Sequence, residues 1–370
     1  MVRGRAVVLR LTLASLGTAA AVAAAAAAPA DAHAAFTQAW PAFALVAGLL
    51  LVGAAAAADG IFEAAGAWIA RAPGGPVVLL CGLLLLDAAV TVVLNLDTAV
   101  VFMTPVLLHA ARRRLLGEGP FLYGAVFMAN SASLLLPGSN LTNLIVLAHE
   151  HVSGGTFAAR LAPAWTVAVV LTIAFVAVVH RSSLRPRPGG NSEPATAWRA
   201  RTLLPIAAAG VLVLALSRPA LPVLALGVAV ALGTGIGVRG SLRAASPLLL
   251  LGVLGVAVAL GALARAADVG HLVVHSGRWE TAWVAAAAAV LVNNLPAAVM
   301  LSAHLPAHPR ALLLGLDLGP NLAVTGSLSA VLWHRVATAS GARPSVVRYS
   351  AYGIVLAPLT IAAALVVTSA

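Results

Sequence analysis

Charge is what this 370-residue sequence has least of: 9% of its residues are Asp, Glu, Lys or Arg, while 61% are hydrophobic. Soluble domains carry about a quarter charged residues, so a water-soluble fold is excluded, and the mean hydropathy is +1.01. Lysine is absent, since all 22 basic residues are Arg. Cys81 is the single cysteine, which excludes a disulfide framework, a thiol pair, thiol capture of a soft ion and the usual zinc or iron–sulfur clusters. Walker-type, Ser/His/Asp, HExxH and Cys/His ligand patterns are also missing. No cofactor, resident metal or catalytic residue is therefore expected, and any driving energy must come from an ion gradient or another subunit. The formal charge of +11 does not indicate nucleic acid, because the arginines lie in short loops between apolar runs and form no single patch.

What is present is a series of apolar segments. Val7 to Ala30 follows Arg3 and Arg5 and precedes Ala32-His33-Ala34, a small-x-small pattern, so residues 1–34 read as a first transmembrane helix or a signal-like segment. Further segments are Phe43–Ala58, Val77–Ala110, Phe121–Ala148, Leu161–Val179, Leu203–Leu216, Leu221–Val238, Pro247–Ala264, Thr281–Leu305, Ala311–Leu332 and Tyr352–Val367. A spanning helix needs about 20 apolar residues. Val77–Ala110, at 34 residues, is too long for one crossing and is interrupted at Asn95-Leu96-Asp97-Thr98, as expected of two crossings or a re-entrant hairpin. Thr281–Leu305 is interrupted likewise at Asn293-Asn294-Leu295-Pro296.

With both taken as hairpins, arginine tests the topology. Only Arg160, Arg218, Arg265, Arg278 and Arg310 fall outside, and the other seventeen fall in cytoplasmic loops, as the positive-inside rule requires. A multi-pass protein of the inner (plasma) membrane with Arg-rich cytoplasmic loops is expected. Residues 181–201, rich in Arg, Pro and Gly, read as a cytoplasmic linker between a first repeat at 35–180 and a second at 202–370.

The halves share their interruptions. Asn95 to Met103 aligns without a gap on Asn293 to Leu301, and a second break, Pro137-Gly138-Ser139-Asn140-Leu141-Thr142-Asn143, aligns on Leu318-Gly319-Pro320-Asn321-Leu322, with Thr325 and Ser327 close behind. The arginine-derived topology makes the repeats inverted, and paired breaks in inverted halves point to a midplane transport site. Unwound backbone in hydrocarbon leaves N–H and C=O groups unpaired at several kcal/mol each, so breaks persist only where protein, water or ligand satisfies them.

Three acids lie inside apolar segments, Asp87, Asp97 and Asp317, each costing about 2.5–3.5 kcal/mol at a helix centre unless paired or solvated. They are the candidate proton carriers. Asp97 also reads as a plain N-cap and Asp317 as a turn former. The candidate solute- or ion-binding set is Asn95, Asp97, Thr98, Ser139, Asn140, Thr142, Asn143, Asn293, Asn294, Asp317, Asn321, Thr325 and Ser327, although the amides and hydroxyls also suit closing backbone bonds at the breaks. His149, His151, His271, His275 and His308 fall near the outer face, where solvated loop histidines are the ordinary reading and a weak metal site the sharper one. Trp40, Trp68, Trp165, Trp279, Trp283 and Trp333 fit an interfacial belt.

At these same residues the chain resembles the arsenical pump membrane protein (ArsB) family. It also resembles the wider ion transporter superfamily that holds NhaD-type sodium/proton antiporters and divalent anion/sodium symporters. The resemblance rests on Asp97 to Pro105, Ala132 to Asn143, Asn293 to Pro296, and Gly315-Leu316-Asp317-Leu318-Gly319-Pro320-Asn321 with Thr325-Gly326-Ser327-Leu328 and Trp333. It covers Phe43 to the C-terminus and departs at Thr98, where the family usually has Gly, and at Leu96, where it usually has Asn. It implies an all-α polytopic membrane protein of two inverted repeats, each with a re-entrant hairpin and a broken transmembrane helix. The implied activity is efflux of a small inorganic solute, arsenite, antimonite or a similar oxyacid, coupled to protons or to a soluble ATPase subunit. A sodium/proton antiporter or anion/sodium symporter is the nearest alternative, a membrane-embedded enzyme or scaffold a distant one, and the lipid bilayer and a second copy of the chain are the remaining partners considered.

Overall fold

The computed structural model describes residues 2–149, 152–185, 198–216, 218–237, 240–242 and 247–368. Most of the 181–201 linker lies outside these. The described residues contain helices and no strand, as hydrocarbon requires of an open chain that must satisfy its own backbone. In order the α-helices are α1 (Val2–Ala27), α2 (Pro29–Ala58), α3 (Ile61–Arg71), α4 (Pro76–Leu94), α5 (Leu96–Arg113), α6 (Gly119–Ala132), α7 (Leu141–Val146), α8 (Gly154–Val179), α9 (Leu203–Ala215), α10 (Ala220–Gly233), α11 (Pro247–Ala266), α12 (His271–Val274), α13 (Arg278–Val292), α14 (Asn294–Leu301), α15 (Pro309–Leu318), α16 (Leu328–Ala339) and α17 (Val346–Val367). Five are long and apolar enough to cross a membrane: α2, α4, α8, α17 and the helix containing α11. The chain is thus an all-α polytopic membrane protein.

Local chemistry explains the starts. Prolines occupy the first turns of α2, α4, α6 and α15, where a missing N–H breaks no bond. Ser153, Ser327 and Ser345 cap α8, α16 and α17 through their hydroxyls. The Ala32-His33-Ala34 triplet falls inside α2, and the chain turns earlier, at Ala28. α1 crosses α11 where Gly17 faces Gly252 and Gly255, and a Cβ on Gly17 would collide with the Gly252 carbonyl. Such backbone-to-backbone contact is how small residues join helices in lipid.

Two large apolar clusters hold the bundle. One is built around α4, α5 and α6 and takes in Trp333 and Tyr349 from the C-terminal helices. The other joins α2, α7 and α8 to α11, α13, α14 and α15, so the broken helix of the first half is packed among helices of the second.

The tryptophans divide in a way hydropathy did not anticipate. Trp68, Trp279 and Trp283 are exposed, as an interfacial belt needs. Trp333 is fully buried; its indole N–H donates to the Leu122 carbonyl at 2.7 Å and its ring lies 5.6 Å from those of Tyr123 and Tyr349. Trp165 likewise donates to the Ala132 carbonyl at 3.1 Å. Trp333→Phe removes that bond and leaves a void, so a loss of about 1–3 kcal/mol is expected. The purified protein in detergent should show it as a lower thermal midpoint; an unchanged midpoint would mean that Trp333 is not a core pin.

Candidate solute- and ion-binding site

Both expected interruptions exist, and both are single asparagines. Asn95 separates α4 from α5 with φ 86° and ψ 164°, and Asn293 separates α13 from α14 with φ 76° and ψ 147°. Both φ/ψ pairs lie in or beside a positive-φ, extended region that almost only Gly adopts, so each break is strained backbone held in place by its surroundings. The Asn95 side-chain oxygen accepts from the Thr98 N–H at 2.8 Å, and that of Asn293 accepts from the Leu295 N–H at 3.4 Å. The cap of α5 is therefore Asn95, not Asp97. Asp97, buried in the first turn of α5, makes no hydrogen bond or ion pair with any described residue. The Asn95 amide nitrogen and the Thr98 hydroxyl, both buried, also lack partners.

The second breaks meet each other. Asp317, fully buried near the end of α15, accepts on Oδ1 from the Asn140 amide at 2.8 Å and the Thr142 hydroxyl at 2.5 Å. Its Oδ2 has no donor, and none of the described ion pairs involves it. Asn321, also buried, accepts on Oδ1 from the Asn130 amide at 2.8 Å, while its own amide nitrogen is unpartnered. The Ser329 hydroxyl donates to Asn130 Oδ1 at 3.4 Å and is bonded to Ser327 at 2.7 Å.

Backbone geometry corrects the register of these breaks. Leu136 (φ −122°, ψ 151°) and Asn140 (φ −145°, ψ 143°) flank a short 3-10 turn ahead of α7. Ala323 (φ −151°, ψ 148°) and Ser327 (φ −147°, ψ 153°) flank one ahead of α16. Leu136 thus corresponds to Ala323 and Asn140 to Ser327, whereas matching letters had paired Asn140 with Asn321. In the new register Thr142 corresponds to Ser329 and Asn130 to Asp317. In that register two long-range contacts match: Asp317 meets Asn140 and Thr142, and Asn130 meets Ser329. One brace carries a carboxyl, its counterpart an amide.

Other expected residues have quieter roles. Ser139 donates toward the carbonyls of Ser133 (2.5 Å) and Leu136 (2.6 Å), and Asn143 donates to the same two at 2.8 and 3.1 Å. Both stitch the unwound loop, although Asn143 Oδ1 is left unpartnered. Thr325 is exposed; its carbonyl accepts from the Asn293 amide at 3.1 Å and its hydroxyl donates to the Val290 carbonyl at 3.0 Å. Asn294 is buried in the first turn of α14. Asp87 is fully buried within α4, eight residues before Asn95, with both carboxyl oxygens unpartnered. No hydrogen bond joins Asp97 to the Asp317 cluster.

Sequence reading missed Asn130 and Gln38. Asn130 stands alone in an unbroken helix, and its only signal was the polar run Asn130-Ser131-Ala132-Ser133 inside an apolar segment. Buried Gln38 donates to the Ile145 and Ser302 carbonyls at 3.2 and 3.1 Å, tying the end of α7 to the end of α14. His271 and His304 pair with Asp268, and His275 lies against the His271 ring, but no metal-holding group of three occurs among the described residues. The side chain of His149, and all of His151, lie outside them.

Broken helices that present a buried, half-satisfied carboxyl at their junction inside an apolar bundle define a membrane transporter, and the comparisons agree. A family model described as citrate transporter (CitMHS) matches residues 2–326, and the chain belongs to that family. It is 24% identical over 364 residues to the arsenical pump membrane protein of Escherichia coli, covering 87% of this chain and 84% of that one. The 46 kDa membrane protein of Mycobacterium leprae is 25% identical over 143 residues, 38% of this chain and 33% of its own. In three dimensions the chain superposes on the Alcanivorax borkumensis YdaH transporter with a TM-score of 0.57 at 12% identity, covering 97% and 96% of the two chains; that likeness is one of fold.

Proposed function

We propose that this protein is a secondary transporter that exports arsenite, antimonite or a similar small oxyacid in exchange for protons, with Asp317 and Asp97 as proton carriers. Asp317 carries the reading: a buried carboxyl with one oxygen held by Asn140 and Thr142, the other without a donor, and no ion pair with any described residue. Moving the two halves apart would strip its donors, so protonation and conformation are linked at one group. Asp97, released from capping by Asn95, and Asp87 supply two further titratable sites. Resemblance to an arsenical pump protein over most of the chain supports the solute. Inverted repeats at 35–180 and 202–370, set in an inner membrane with Arg-rich loops cytoplasmic, belong to the same proposal, which the matched breaks and crossed braces support.

A second reading, Na⁺-coupled movement of a carboxylate, is favoured by the unpartnered oxygens of Asp317 and Asn143, which suit a hard cation, and by the description of the matching family. Everted vesicles decide between them. Under the leading proposal a proton gradient drives arsenite and antimonite uptake without Na⁺, and Asp97→Asn lowers the rate at least about tenfold, the equivalent of about 1.4 kcal/mol. Unchanged transport in Asp97→Asn removes that carboxyl from the mechanism, and a strict Na⁺ requirement selects the second reading.

A further inference from the structure

A separate cavity of about 270 Å³ opens near the starts of α8, α13 and α15, lined in part by Arg160, Arg278, His308 and Arg310, with Leu147 just past α7 and Thr368 just past α17. No Asp or Glu is among its described lining residues. Arg278 donates to the Thr368 carbonyl at 3.3 Å, while Arg160 and Arg310 make no hydrogen bond or ion pair with any described residue. Three arginines lining one small volume gather like charge that a counter-charge would offset, and the planar donor fork of Arg matches oxyanions.

Two further features have the same sign. α8, α13 and α15 all begin at this end, so their partly positive N-termini add to the field. His308 precedes α15 without capping it through its side chain, which leaves first-turn N–H groups of that helix unclaimed by a cap. Arg310 and Asp317 share α15, seven residues or about 10 Å of helical rise apart. α7 likewise runs from Asn140, at the buried junction, to Leu147 at the cavity.

We infer that this cavity is an anion-binding vestibule for a phosphate-type oxyanion, held by Arg160 and Arg310 at the head of the helix that carries Asp317. The phosphate of an anionic lipid offers the same chemistry as the free ion. Binding there needs no proton movement at Asp317, so its test stands apart from the transport assays.

The test uses the full chain purified in an uncharged detergent. Inorganic phosphate, titrated against chloride at constant ionic strength, is expected to raise the thermal midpoint saturably. The double variant Arg160→Gln/Arg310→Gln should weaken that affinity at least about tenfold. In the second arm, phosphatidylglycerol and phosphatidylcholine are compared by native mass spectrometry. Retention of phosphatidylglycerol by wild type and its loss in the double variant, without a phosphate effect, assigns the vestibule to lipid phosphate. Arg160 is exposed, so the single variant Arg160→Gln stays folded and should by itself weaken whichever ligand binds. Absence of binding by wild type in both arms, or affinity unchanged by these substitutions, overturns the vestibule.

Discussion

Asp317→Asn is expected to reduce proton-driven solute movement about 100-fold while leaving the protein folded. The size follows from the differential cost of charge in the membrane interior, about 2.5–3.5 kcal/mol. Folding survives because the amide oxygen of Asn still accepts from Asn140 and Thr142, which now bond to Asp317 Oδ1 at 2.8 and 2.5 Å. Asp317→Ala differs: it strands both buried donors at about 1–3 kcal/mol each and leaves a void, so it should lower the thermal midpoint as well. Transport in everted vesicles, paired with unfolding midpoints of both variants, separates the two effects. Wild-type rates in Asp317→Asn, with their pH dependence intact, would sink the carboxyl-carrier mechanism.

The second large effect lies outside the site's own side chains. Gly353 on α17 is where that helix meets the turn containing Asn321, and a Cβ there would collide with the Asn321 carbonyl oxygen. The obstacle is backbone, which no rotamer change relieves. Tyr349, one turn earlier, donates to the Pro320 carbonyl at 2.9 Å, so α17 and this turn are bonded as well as packed. Overpacking costs about 1–3 kcal/mol and occasionally more, and Gly353→Val should reach the upper end. We expect little monodisperse protein after extraction and, in what folds, impaired transport, because a displaced turn carries Asn321 away from Asn130 (2.8 Å). A Gly353→Val protein with wild-type midpoint and transport would show that the contact is unimportant.

The breaks at Asn95 and Asn293 were legible because a polar residue in the middle of an apolar run is a local signal. The second breaks fall within the segments the sequence marked, but their backbone angles match in a register that letters alone do not give. A cap needs only a side-chain oxygen, so Asn140 and Ser327 perform one conformational role with different letters, and identity matching drew Asn140 to Asn321 instead. Asn130 escaped notice because an amide inside an intact helix disturbs nothing locally. The same locality explains Asp97, which sequence reads equally well as a cap or as a functional acid until geometry shows Asn95 making the capping bond.

By itself, then, the sequence determined the solvent, the helical class, the positions of four interruptions and the three acids inside the apolar segments, all properties of hydropathy and short-range hydrogen bonding. Tertiary structure alone decided which groups meet: Asp317 with Thr142, 175 positions away, Asn130 with Asn321, and Arg160, Arg278 and Arg310 around one cavity. Such pairings depend on how helices pack, and the buried glycines and apolar clusters that set the packing specify shape without naming the polar partners they bring together.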